Sequence, residues 1–201
     1  MSKKIDIISI IQGHCSTLGN SDGTFNKYDF FTFYILPLIL SGLAVYYMSE
    51  ITEGTLSLLV NFGSIFTALL LSVLVLIFDQ ENKIDEQYEK YLLFKEEIDK
   101  NPSLNDSAAY RWIFSKNLDE NYTDKKALLR QLYFNISFSI VVALLLVLVC
   151  LIYSKVGQLT HTVYTCISSK ILIFLIAFLM LTIFLNILMI VKRMHTMLIT
   201  N

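Results

Sequence analysis

Residues 55–78 read TLSLLVNFGSIFTALLLSVLVLIF, with no Asp, Glu, Lys, Arg or His. At 1.5 Å per residue, a run of about 20 such residues crosses a hydrocarbon core about 30 Å thick. Unpaired backbone is too costly in lipid, so the run must be helical. The chain then continues DQENKIDEQYEKYLLFKEEIDK, residues 79–100, which is dense in charge. No proline follows before Pro102. One helix is therefore expected to run from lipid straight into water, ending at Asn101-Pro102.

Three more runs have the same character: 30–48, FFTFYILPLILSGLAVYYM; 132–153, LYFNISFSIVVALLLVLVCLIY; and 171–191, ILIFLIAFLMLTIFLNILMIV. Charged residues make up 16% of the 201, below the roughly 25% of soluble domains. So short a chain cannot wrap four such helices in a soluble core. The fold class is all-α: an integral membrane protein with four transmembrane helices. Phe30, Phe31, Tyr46, Tyr47, Tyr133 and Tyr153 lie near span ends, as interface anchors do. Pro37 is expected to bend the first span. The polar lead 1–29 lacks a small-residue cleavage site, so no removable signal peptide is expected.

Basic residues set the orientation. Lys3, Lys4 and Lys27, nine in 79–131, and Lys192 and Arg193 place fourteen on one side; the connections 49–54 and 154–170 hold only Lys155 and Lys170. Both termini, the loop 79–131 and the tail 192–201 are thus expected in the cytoplasm. The short outer connections exclude a large external ligand domain. Cys15, Cys150 and Cys166 then fall in three compartments, with no disulfide within the chain.

The loop 79–131 is expected to form a small helical cytoplasmic module between the second and third spans. It has twelve acids against nine bases, the wrong balance for gripping nucleic acid. Ile84, Tyr91 and Ile98 recur every seven residues, with Tyr88 and Phe94 between them, forming an apolar seam. That seam packs either on its own loop or on a sister subunit or partner. DSAAYRWIFSKNL, 106–118, can form a short helix. Its Trp112, the one tryptophan, lies at the membrane surface or anchors a partner. Thr123 or Asp124 is a fair N-cap for the return helix. Lys125, Lys126 and Arg130 would sit near anionic headgroups. In the lead, Ile7, Ile8 and Ile11 share a helical face suited to the membrane interface.

No catalytic, metal or cofactor motif is present, and His14, His161 and His195 are scattered. The spans hold serines with no ionisable partner. No enzyme and no cofactor are therefore expected, and His14-Cys15 reads as chance adjacency. The polar residues that remain in the spans are amides: Asn61, Asn135 and Asn186. Asn135 and Asn186 sit at like depth and are expected to bond across helices, within or between subunits. The other reading is a polar lining for a pore built by an oligomer.

YDFFTFYILPLILSGLAVYYMSE, SLLVNFGSIFTALLLSVLVLIFDQENK and LLRQLYFNISFSIVVALLLVL together resemble the KwaA-type membrane subunits of the Kiwa bacterial anti-phage defence system. The likeness is one of architecture over most of the chain and rests on no diagnostic motif. It implies a homo-oligomer, a tetramer, in the bacterial inner membrane. It further implies sensing of envelope disturbance and signalling to a soluble, KwaB-like DNA-binding partner. A pore-forming effector that depolarises infected cells is the alternative.

Overall fold

The computed structural model describes residues 6–18, 27–48, 50–100, 118–156 and 163–199. Every regular element among them is helical. A short helix α1 (Ile7–Thr17) precedes four long ones: α2 (Lys27–Tyr47), α3 (Glu53–Lys100), α4 (Leu118–Val156) and α5 (Val163–Ile199). Each of α2 to α5 is long and apolar enough to cross a membrane.

The expected unbroken helix across the apolar and the charged segments is realised in α3, 48 residues long and ending at Lys100, directly before Asn101-Pro102. The return differs from expectation. α4 begins at Leu118, so Thr123 and Asp124 lie inside the helix and not at its start. Trp112 and most of the short helix expected at 106–118 lie outside the described residues.

α4 is the central helix. Half of its apolar window is buried, against 33% for α5, 17% for α3 and 11% for α2. Besides Asn135, Ser137, Val142 and Val149, which widen the buried face, its buried positions are Leu129, Leu132, Ile136, Ser139, Ala143, Leu146, Cys150 and Tyr153 in one stripe. They alternate steps of three and four, the seam of a coiled coil. The facing stripe on α3 is stricter. Leu56, Gly63, Leu70, Ile77, Ile84 and Tyr91 follow at intervals of seven, all buried or half-buried. The seam read from the polar segment therefore starts at Leu56 and runs through the whole membrane span. A strict seven-residue repeat keeps one face toward its neighbour only if the pair winds slightly about each other.

Small residues set the spacing. A Cβ on Gly63 would lie 2.7 Å from Val147 Cγ2 and 3.5 Å from the Ala143 carbonyl oxygen, so α3 and α4 approach to backbone contact there. One core cluster, including Leu56, Leu146, Cys150, Ile176 and Ile183, fills one half of the bundle. Another, including Leu70, Ile77, Leu129, Leu132, Ile136 and Ile190, fills the half that leads to the polar extension. At the far end, Tyr153 Oη accepts from the Ile51 amide at 3.0 Å, pinning the α2–α3 connection to α4.

The bend expected at Pro37 takes a specific form. Residues Phe31–Ile35 make a π turn, in which the Leu36 amide donates to the Phe31 carbonyl. Pro37 has no N–H, and its ring would clash with the carbonyl of Phe33 in a regular helix. The wider turn just before it relieves both demands.

Candidate functional site

The polar groups of the bundle converge where α1 docks onto α4. Asp6 caps α1, its side chain accepting from the Ser9 amide at 3.0 Å. Gly13 then meets Phe134 so closely that a Cβ there would overlap the face or edge of its ring. That contact turns the next residues inward. His14 is buried and lies flat on Phe138, ring centroids 4.0 Å apart and 4° from parallel. His14 Nδ1 is 2.9 Å from Asn135 Oδ1. An amide oxygen only accepts, so Nδ1 carries the proton and donates.

Thr17 closes the junction. Its hydroxyl is 2.7 Å from the His14 carbonyl and 2.8 Å from the same Asn135 oxygen. Its own carbonyl accepts from Arg193 Nη2 at 2.6 Å. One residue of α1 thereby ties α4 to the end of α5. Cys15 adds a contact to the π turn of α2, with Sγ 3.2 Å from Tyr34 Oη. Burial lowers the His14 pKa from 6.5 to about 4; the Asn135 hydrogen bond raises it, and the Arg193 charge adds to the lowering. At neutral pH the ring is uncharged, as a buried imidazole facing a guanidinium must be.

Asn135 thus has a partner other than the expected one. Its oxygen is taken by α1, and the amide oxygen and nitrogen of Asn186, 1% exposed, have no hydrogen-bond partner among the described residues. Asn135 Nδ2 and Arg193 Nη1 are likewise buried and unpaired. Within the chain, the expected Asn135–Asn186 bond does not form among the described residues. Asn61 is exposed on α3, outside the packed interior. The serines Ser41, Ser64, Ser72 and Ser139 donate to carbonyls of their own helices three or four residues back.

A second polar set joins α3 and α4 beyond their apolar runs. Lys126 Nζ lies 2.7 and 3.0 Å from the two carboxylate oxygens of Asp85. Tyr122 Oη donates to Asp85 Oδ1 at 2.8 Å and accepts from Lys126 at 2.9 Å. The Lys126 hydrogen bond, then that of Tyr122, holds the Asp85 carboxyl below its usual range. Tyr88 stacks on Tyr122, centroids 3.8 Å apart and 8° from parallel. Of the seam residues, Ile84 packs on the adjoining core cluster, Tyr91 is buried and Phe94 is half-buried. The side chain of Ile98 lies outside the described residues.

The sequence offers no more than a chance adjacency for His14 beside Cys15 and nothing for Thr17, because nothing in it links them to a residue more than a hundred positions away. Gly13, in an apolar helix, was the available hint of a close approach.

The fold and this junction define a polytopic α-helical membrane protein whose first helix docks on the bundle. Compared with protein-family models, curated proteins and solved structures, the chain matches none.

Proposed function

We propose that the chain is a subunit of a homo-oligomeric sensor and scaffold in a bacterial inner membrane. It passes a disturbance of the bilayer to a soluble DNA-binding partner on the cytoplasmic side, in the anti-phage setting its resemblance implies. One observation carries the reading: the α3–α4 hairpin keeps one register from lipid into water. Gly63 lies against Ala143, Leu146 and Val147, and Tyr88 lies on Tyr122. With no break between these points, motion of the membrane half is delivered to the polar half, whose tip is the surface for a partner. The remaining apolar faces, including Leu58, Ile65, Leu69 and Val75, serve lipid or sister subunits.

Co-purification in mild detergent with the product of the neighbouring gene tests this. Retention of a soluble DNA-binding protein is expected; a chain that always purifies alone beside its co-expressed neighbour sinks the reading. A Gly-Ser insertion after Asn82 is expected to abolish signalling, and unaltered activity counts against the rigid hairpin. The second reading, a pore between copies, draws on the exposed amide of Asn61. Dye uptake on activation would favour it.

A further inference from the structure

Beside the docked α1 lies a cleft of about 820 Å³ between α1, the start of α4 and one turn of α3. It holds two groups of opposite charge, Arg130 and Glu81, and is also lined by Ser9, Gln12 and Gln131. Lys126 lines it too, but its charge is answered by Asp85 at 2.7 Å. Arg130 is exposed and has only a ring beside it, its guanidinium carbon 5.8 Å from the Phe134 centroid. Neither Arg130 nor Glu81 has a hydrogen-bond or ion-pair partner among the described residues. Although they share the cleft, they do not pair with each other.

Both stand at one depth. Glu81 is three residues past Phe78, where the uncharged run of α3 ends. Arg130 is two residues before Leu132, where that of α4 begins. This is the level of the lipid headgroups. On α1, Ile8 and Ile11 stay exposed, as befits a helix lying in the interface.

We propose that this cleft binds a phosphoethanolamine group, most simply the headgroup of a zwitterionic phospholipid. Arg130 takes the phosphate through its planar fork of donors. Glu81 takes the primary ammonium, which offers three N–H donors to a carboxylate. Gln12, Gln131 and Ser9 supply further donors for phosphate and glycerol oxygens. A purely anionic headgroup would leave Glu81 facing like charge. A choline headgroup would give Glu81 a cation without N–H. The site is independent of the sensing function proposed above.

The test uses the full chain purified in dodecyl maltoside, with lipid retention measured by native mass spectrometry. Dioleoylphosphatidylethanolamine is added beside the matching phosphatidylglycerol and phosphatidylcholine. The ethanolamine lipid is expected to bind most tightly. Arg130→Gln should weaken it about tenfold or more, the loss of a charge-assisted fork. Glu81→Gln should weaken it several-fold while leaving phosphatidylcholine unchanged. Arg130→Lys should recover part of the binding, which separates loss of the ligand group from misfolding. Lys192→Gln, an exposed cation on α5, should change nothing. Soluble O-phosphoethanolamine forms a separate arm. If it competes at millimolar concentration, the site takes the free phosphoester; if only the lipid binds, it takes the headgroup. Both support the chemistry. Equal retention of all three lipids overturns the proposal, as do tighter binding of phosphatidylglycerol, an unchanged Arg130→Gln, and a Lys192→Gln loss equal to that of Arg130→Gln.

Discussion

Replacing Asn135 by Leu isolates the hold of the bundle on α1. The side chains are similar in size and branching, so the packing changes little. What changes is one oxygen that faces two groups of α1: His14 Nδ1 at 2.9 Å and the Thr17 hydroxyl at 2.8 Å. Thr17 keeps the His14 carbonyl at 2.7 Å. The His14 N–H keeps nothing, and a buried donor without a partner costs about 1–3 kcal/mol. Part of that is offset, because the unpaired Asn135 Nδ2 disappears in the same substitution. The net loss is about 1–2 kcal/mol, or roughly a 5–30-fold rise in the undocked population. An isolated helix of 11 residues is marginal in water, so undocking and unwinding go together. Hydrogen exchange of the α1 amides in nanodiscs reads this directly. Exchange over Ile11–Thr17 should accelerate by the same factor, while Leu146–Cys150 in α4 stays protected. Unchanged α1 exchange would refute the reasoning, and so would equal acceleration along the whole chain.

Four further outcomes follow from the contacts described above. His14 has its pKa lowered to about 4 only when docked, so the undocked helix binds protons first as pH falls. Docking should weaken from pH 6.5 downward, by about 30-fold at pH 5, and level off below 4. His14→Gln should flatten that profile, and a wild-type α1 exchange that ignores pH, once corrected for intrinsic rate, contradicts it. Asn186→Leu removes a buried amide with no partner and should stabilise the protein by about 1 kcal/mol, seen as a rise of roughly 2–4 °C in Tm; a fall would show that the amide has a partner after all. In the polar hairpin, the Asp85 and Lys126 side chains are about 40% exposed, so their coupling in a double-mutant cycle should stay below about 1 kcal/mol. Tyr88→Ala should open residues 79–95 to exchange more than Asp85→Asn does, and the reverse order would be wrong for a stacked joint.

The four spanning helices were legible because a run such as 55–78 has a single reading in any solvent. The hairpin was legible in part. Ile84, Tyr91 and Ile98 showed the repeat only where charged neighbours made an apolar residue stand out. From Leu56 to Ile77 the same repeat is hidden, since the outward residues are apolar too and lipid erases the contrast that marks a core. Small residues, Gly63 against Ala143, were the remaining clue. The α1 junction was opaque for another reason. Asn135 was recognised as a group in need of a partner, but Asn186 at like depth was the plausible choice. Only the docking of a helix from the far end of the sequence puts His14 there instead. Pro37 announced a bend, yet whether a proline yields a kink or a π turn depends on neighbours that sequence does not place.

The length of α3 has a mechanical corollary. Its uncharged run, residues 55–78, is about 36 Å long, against a hydrocarbon core of about 30 Å. Where tilt absorbs all of that mismatch, the axis leans by about 35°, and thinning the bilayer by about 3 Å leans it about 8° further. Residues 79–100 continue the same axis for about 33 Å into water, so the tip sweeps roughly 4–5 Å for each such change. On the sensing role proposed above, the hairpin would act as a thickness gauge whose pointer moves farther than the membrane does.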